Sequence, residues 1–146
     1  MLFSETEAAS SAAGKYFQLE ELEDRETATT EVLLNADLSV AVGVTDGPIF
    51  TQARGTWSQG EDGSFAMKIV RKYQAGRETT AWTDMGEFEF EVERSFTGDM
   101  SLVGECISVT GSIHSEDDIL GDREVGFFNM IDTTDMRLYD NEKKPI

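Results

Sequence analysis

Apolar and polar residues alternate along most of the chain after residue 30, and this period of two predicts β-strands with one buried face. The longest alternating run covers 31–44 and predicts a single strand. Asp46-Gly47-Pro48 follows it and favours a turn. The apolar phase of the run consists of Val32, Leu34, Ala36, Leu38, Val40, Val42 and Val44.

Five further segments alternate in the same way, at 51–59, 65–73, 88–96, 101–114 and 123–133. The segments at 65–73 and 88–96 echo each other, but two copies are too few for a solenoid and indicate similar arms of one sheet. We therefore predict an all-β domain over 31–134, an antiparallel meander of about six strands that forms a closed or partly open barrel. The echoed phases are Phe65, Met67, Ile69, Arg71 and Tyr73, and Phe88, Phe90, Val92, Arg94 and Phe96.

The two ends of the chain have a different composition. Residues 1–30 are rich in Ala, Ser, Thr and Glu, and we interpret them as an irregular acidic N-terminal arm. Within this arm, Tyr16, Phe17, Leu19 and Leu22 predict one short amphipathic turn of helix. Residues 135–146 predict a polar C-terminal tail.

Charge suggests how the strands at 65–73 and 88–96 pair. The polar face of the second strand carries a row of glutamates, which would repel one another without basic partners. An alignment with Lys68 opposite Glu93 also sets Lys72 opposite Glu89. Each such pair contributes only about 0.2–1 kcal/mol, but together they favour this register over its neighbours.

The next hairpin determines the partner of an inward-facing arginine. We predict its turn at Asp99-Met100, which places Arg94 opposite Glu105. A carboxylate within reach removes most of the cost of burying a guanidinium. The sequence therefore predicts a structural Arg94–Glu105 ion pair.

The composition argues against several classes of partner. The 146 residues include 12 basic and 29 acidic ones, for a formal charge of −17. Nucleic acids and anionic lipids would repel such a chain, whereas a basic protein would not. No apolar run approaches the length of a membrane helix, and the acidic N-terminus lacks the basic region of a signal peptide. Cys106 is the single cysteine, which suits a reducing compartment such as cytosol or plastid stroma.

Two inward arginines and one tryptophan form a candidate binding site. Arg71 and Arg94 could hold an anionic ligand such as a carboxylate inside the barrel. Alternatively, they close the barrel ends, paired with acids or stacked on Trp57 or a phenylalanine. The segment Gly55-Thr56-Trp57 resembles the Gly-x-Trp of lipocalin-like barrels, where a Trp packs on an Arg from a late strand. Both interpretations stay open.

The remaining candidates predict no catalysis, no metal centre and no cofactor. His114 is the sole histidine and has no second histidine or cysteine to form a ligand set, so a solvated residue is expected. Cys106 has no basic neighbour in sequence that would activate its thiol. The loop Glu116-Asp117-Asp118 lacks the spaced ligands of a calcium loop.

One outer surface favours interaction with a partner. The strand at 101–114 carries small, weakly polar residues in its second phase, including Cys106 and Ser108. The strand at 123–133 is apolar in both phases, and we expect Phe128 and Met130 to be among its partner-facing residues. Either the N-terminal arm or another protein could cover this surface.

Four strings over about residues 50–134 resemble a poorly characterised family of algae with red-lineage secondary plastids. The resemblance implies a plastid protein without established enzymatic activity. A small extrinsic subunit on the stromal side of a photosystem, with photosystem I favoured over photosystem II, would suit that setting. It implies no site residues. The strings are Gly55-Thr56-Trp57, Phe65-Ala66-Met67, Gly86-Glu87-Phe88 and Val125-Gly126-Phe127-Phe128-Asn129-Met130-Ile131-Asp132-Thr133-Thr134.

Three functional hypotheses follow. The leading one is a non-enzymatic accessory subunit that docks on a larger protein complex, in the plastid stroma or on the stromal face of the thylakoid. The alternative is a lipocalin-like barrel for a small ligand or cofactor, with Trp57, Arg71 and Arg94 at its site. The alternative location is the cytoplasm. An enzyme built on such a barrel is third.

Overall fold

The chain forms a closed antiparallel barrel of eight strands, in a computed structural model that describes residues 11–75, 88–117, 119–138 and 144–146. Each strand pairs with the next one along the chain, and β8 pairs with β1 to close the barrel. The predicted all-β antiparallel barrel is confirmed, with eight strands instead of six. The strands are β1 (Lys15–Glu23), β2 (Glu26–Leu34), β3 (Ser39–Thr45), β4 (Gln52–Gln59), β5 (Ser64–Ala75), β6 (Phe88–Val103), β7 (Cys106–Asp117) and β8 (Gly121–Asp132).

The first additional strand comes from the predicted arm. The prediction of a helical turn at Tyr16–Leu22 is wrong, because these residues belong to β1, which pairs with β2 and β8. Phe17 and Leu19 point into the barrel, but the next two inward positions are Glu21 and Glu23. Those acids interrupt the apolar alternation, so the sequence of β1 does not show the strand pattern.

The second additional strand comes from dividing the predicted strand 31–44. A turn at 35–38 separates β2 from β3, and Leu38 adopts a left-handed backbone with a φ of 74°. The Asp37 carboxylate stabilises the turn by accepting hydrogen bonds from the Ser39 backbone N–H (2.9 Å) and hydroxyl (2.6 Å). The turn contains four residues, and an even number keeps the apolar residues of β2 and β3 at even-numbered positions of the chain. Alternation alone therefore cannot reveal this break.

The register of β5 and β6 differs from the prediction by two residues. Lys68 lies opposite Ser95, and Lys72 lies opposite Glu91. The faces were predicted correctly, and the expected charge partners still meet along the diagonal. The Lys68–Glu93 and Lys72–Glu89 ion pairs have N–O distances of 3.8 and 3.5 Å.

The β6–β7 turn lies at Gly104-Glu105, so the turn predicted at Asp99-Met100 is wrong. Gly98 directly precedes the predicted turn, but in the structure it lies within the β-ladder opposite Gly111. A Cβ atom on either glycine would overlap backbone atoms of the other strand. These glycines therefore permit a close approach of two strands, a second common role of glycine inside a sheet.

Inward-facing side chains form one hydrophobic core within the barrel. Phe96 and Phe128 meet edge to face at 5.2 Å, and Trp57 stacks on Phe65. Phe128 and Met130 are buried here, so their predicted partner-facing position is wrong. The outward phase of β8 belongs to Phe127, Asn129 and Ile131 instead. The buried apolar residues are Ala12, Phe17, Leu19, Val32, Leu34, Val40, Trp57, Phe65, Met67, Ile69, Phe96, Ile107, Val109, Ile113, Phe128 and Met130.

A short helix, α1 (Thr134–Leu138), follows β8 and packs against the outside of the barrel. Arg137 of this helix binds Glu31 on β2 through two hydrogen bonds, of 2.8 and 3.1 Å. Its guanidinium also lies 4.1 Å from the centre of the Tyr16 ring. The start of the predicted polar tail is therefore attached to β1 and β2.

Candidate interaction surface

Arg71 is held inside the barrel by an acid from across the lumen. Its guanidinium donates to both carboxylate oxygens of Glu21, at 2.7 and 3.3 Å. The side chains are only 10% and 13% exposed. Among the described residues, every buried side-chain N or O atom has a hydrogen-bond partner. Glu21 is a partner that the sequence analysis did not identify.

Arg94 is bound in a similar way closer to the barrel rim. Its Nε donates to Glu23 at 2.7 Å, and its Nη1 donates to the Ser115 hydroxyl and to the Glu93 carbonyl. The predicted Arg94–Glu105 pair is wrong, because Glu105 occupies the exposed tip of the β6–β7 hairpin. The predicted partner depended on the early turn that the structure does not contain.

Trp57 lies near the opposite end of the barrel from the two arginines. Its indole N–H donates to the Asn35 carbonyl at 2.9 Å, and its ring stacks on Phe65. Trp57 pairs with Met67, four residues from Arg71 along β5, which corresponds to roughly 13 Å along a strand. The structure therefore does not bring together the three residues of the predicted ligand site.

Tyr73 and two phenylalanines cover the rim next to the arginines. The rings of Tyr73 and Phe90 stack at 5.5 Å, and Phe88 lies 6.1 Å from Phe90. Desolvation by burial raises the pKa of Tyr73, although the charge of Arg71 opposes this. Phe88 and Phe90 remain 50% and 43% exposed. This rim therefore exposes two phenylalanine rings to solvent.

The outer surface of β7, β8 and β1 forms a sheet face with very little charge, which we call the low-charge face. Phe127 is 56% exposed and lies directly opposite Leu22, which is 43% exposed. Glu20 is the one charged residue among the ten outward positions that define this face. They are Cys106, Ser108, Thr110 and Ser112 of β7, Phe127, Asn129 and Ile131 of β8, and Gln18, Glu20 and Leu22 of β1.

The outer surface of β4, β5 and β6 has the opposite character. Arg54 binds Glu91 at 3.0 Å, next to the two lysine–glutamate pairs described above. The bond to Arg54 lowers the pKa of Glu91, and the same bond raises the pKa of Arg54. The charges of the barrel are thus distributed unevenly around its circumference.

The described part of the N-terminal arm does not cover the low-charge face. Residues 17–23 pair with β8 as a neighbouring strand and contribute to the face themselves. Cys106 and Ser108 lie on this face, as their outward phase predicted. Of the two predicted covers, the arm is therefore not the cover within residues 11–30.

His114 lies at an irregularity in the β7–β8 ladder, where its Nδ1 is 3.4 Å from a carboxylate oxygen of Asp122. Over the described ranges, no three His, Cys, Asp or Glu side chains are grouped as a metal site would require. Those ranges also contain no helix of the length and hydropathy needed to cross a membrane.

A cleft of about 720 Å³ lies on the outside of the barrel, between the β2–β3 hairpin and the C-terminal segment. Ile146 packs on Gly43, where a Cβ atom would come within 3.0 Å of its side chain. Thr29, Thr45, Met136 and Arg137 also line the cleft. Local sequence patterns do not reveal this cleft, because its walls come from distant parts of the chain.

Comparisons with known proteins identify no relative: no family model, no curated protein and no solved structure matches this chain.

Proposed function

We propose that this chain is a non-enzymatic accessory subunit that docks on a larger protein assembly through its low-charge face. The observation that carries the proposal is the pairing of exposed Phe127 and Leu22 on a surface where one residue in ten is charged. The chain as a whole has a formal charge of −17. A face with so few charged residues in so acidic a protein calls for a specific explanation.

Protein interfaces have the composition of this face. Their cores are depleted of charged residues and enriched in aromatic ones, and their rims are polar. Burying Phe127, Leu22 and Ile131 would remove apolar surface from water. The desolvation cost would be small, because Glu20 is the one charged residue among the positions that define the face. The acidic remainder of the molecule would attract a basic assembly and direct its approach.

The family resemblance suggests the setting of the assembly. On that ground, we propose that the partner is a membrane-embedded photosystem in an algal plastid, with photosystem I favoured. The chain would bind as an extrinsic subunit in the stroma or on the stromal face of the thylakoid. It would contact protein subunits, and its charge argues against nucleic acid or direct insertion into the membrane.

The alternative carrier function has less support. A carrier needs a free lumen and polar groups available to the ligand. Buried apolar side chains pack inside this barrel, and glutamates already bind the guanidinium groups of Arg71 and Arg94. An anionic ligand would have to displace both acids.

The docking proposal is tested by native fractionation of extracts from source cells that express tagged variants. Wild-type chain should migrate with a large complex, and L22E/F127E should appear as free monomer. The matched control is V44E/I49E, which alters two residues that are 80% and 78% exposed and lie off the face. Wild-type chain found only as free monomer, or equal retention of both variants, would refute the proposal.

A further inference from the structure

Among the residues that the structure describes, one stretch of β6 pairs with a strand on one side only. The β6–β7 ladder begins at Ser95, which lies opposite His114. Beyond that point, β7 continues along β8 only, after the irregularity between Ile113 and His114. Within the described part of the chain, Phe88–Arg94 therefore pairs with β5 on one side and with no strand on the other.

The backbone groups on this open side can be assigned from the ladder. Met100 donates its backbone N–H to the Gly63 carbonyl, and antiparallel hydrogen bonding repeats at every second residue. Even-numbered residues of β6 therefore direct their N–H and C=O groups at β5, and Glu89, Glu91 and Glu93 direct theirs away. The Glu93 carbonyl accepts a hydrogen bond from Arg94. The resulting edge is about 20 Å long, enough for a peptide of six or seven residues.

The two faces of this edge determine which strand could pair with it. One face presents Phe88 and Phe90, which are half-exposed, and the other presents Glu89, Glu91 and Glu93. A pairing strand would place alternate side chains beside each row. Apolar residues would contact the phenylalanines. Each glutamate already forms one ion pair with a basic side chain of β4 or β5, but the three remain 44–52% exposed. Basic residues of the added strand would therefore approach them from the open side.

The same charges disfavour self-association through this edge. Two copies paired edge to edge would bring two rows of glutamate together, and like charges directly opposite each other are destabilising. A basic segment from another protein would instead gain charge pairs along with its backbone hydrogen bonds. We propose that the Phe88–Arg94 edge of β6 binds an extended protein segment in which Lys or Arg alternates with apolar residues.

This edge is separate from the low-charge face of β7, β8 and β1, so the proposal does not depend on docking through that face. A direct probe is a labelled synthetic peptide of four Lys-Val repeats, and the control peptide has four lysines followed by four valines. Fluorescence anisotropy should show at least tenfold tighter binding of the alternating peptide. Failure of that peptide to bind, or equal binding of both peptides, would overturn the proposal.

Amide hydrogen exchange on the unmodified protein locates the bound peptide without relying on any variant. The alternating peptide should slow the exchange of the Glu89, Glu91 and Glu93 amides, which face the open side. Protection confined to other strands would show that the peptide binds elsewhere, and the proposed edge would then be wrong.

Paired variants separate local charge from net charge. E89K/E91K should weaken binding of the alternating peptide at least tenfold, because it reverses the row beside the peptide. E61K/E105K makes the same change in net charge at two exposed turn positions and should have a much smaller effect. Equal losses in the two variants would show that only the overall charge matters, which contradicts a site on β6.

The backbone contribution is tested with proline. E91P removes an N–H from the open side without removing a β5–β6 hydrogen bond, and proline is tolerated on edge strands. It should weaken peptide binding at least tenfold relative to E91Q, which removes the same carboxylate and keeps the N–H. Thermal melts verify that both variants fold. If folded E91P binds as well as E91Q, pairing along this edge is refuted.

Discussion

Replacing Glu21 with glutamine would leave the guanidinium of Arg71 inside the barrel without its counter-ion. The two side chains are 10% and 13% exposed and share two hydrogen bonds across the lumen. Removing one partner of a buried ion pair costs about 3–5 kcal/mol, because the remaining charge stays desolvated. The pair is not completely buried, so we expect E21Q to lose about 3 kcal/mol of unfolding free energy.

This loss would be a large share of the total, since single domains are stable by about 5–15 kcal/mol. For a chain of this length it corresponds to a decrease in Tm of roughly 6–12 °C. Urea denaturation followed by circular dichroism measures the free energy directly. The double variant E21M/R71M removes both charges and should be more stable than E21Q, because no unpaired ion remains inside the barrel.

The Arg94–Glu23 pair provides the matched control. Its side chains are 23% and 34% exposed, so water screens the charge more effectively. E23Q should therefore cost only about 1 kcal/mol. A smaller loss of unfolding free energy in E21Q than in E23Q would contradict this prediction. So would a double variant E21M/R71M whose loss of unfolding free energy equals the sum of the losses in E21M and R71M.

Three further variants test other parts of the fold. G111A should destabilise the barrel by more than about 3 kcal/mol, since the added Cβ would overlap the Thr97 carbonyl oxygen. The control G104A lies in an open turn with a φ of 66° and should cost only about 1 kcal/mol. Similar Tm values for the two variants would contradict the close approach of β6 and β7. Burial raises the pKa of Tyr73, so the stability that its neutral phenol contributes is complete below about pH 10 and is lost as the pH rises towards the folded-state pKa. Unfolding free energies of wild type and Y73F should therefore converge or cross in that range, and a constant difference would argue against this effect. R137M should release α1 from β2. Amide hydrogen exchange should then be faster in residues 134–138 and unaffected in the barrel strands. Unchanged exchange in 134–138 would show that Arg137 does not anchor the helix.

Much of the strand pattern was predictable because alternation is a local property. The strands at 51–59, 65–73 and 123–133 match β4, β5 and β8 closely, since each has a clear buried phase. Missed strands have physical explanations. The inward acids of β1 disguise its alternation, and the turn at 35–38 preserves the phase across the break between β2 and β3.

The candidate site was predictable only in part. Sequence identified Arg71 and Arg94 as inward residues that need acidic partners, and the structure contains such partners for both. It did not identify the acids, because Glu21 lies 50 positions from Arg71 and Glu23 lies 71 positions from Arg94. The weakly polar outward positions of β7, Cys106 and Ser108, were predicted from sequence. The outward positions of β8 that extend this face were not, because β8 is apolar in both phases and the sequence did not show which phase faces outward.

The sequence by itself determined an acidic, antiparallel β domain, the faces of most of its strands and the need to neutralise two inward-facing arginines. Alternation, turn residues and charge each act within a few positions of the chain, so they can be recognised before the tertiary structure is known. The tertiary structure decided the strand number, the registers, the acid bound to each arginine and the position of the open edge. These depend on closing the barrel, which brings β1 against β8 and gives residues far apart in the chain a common lumen and rim.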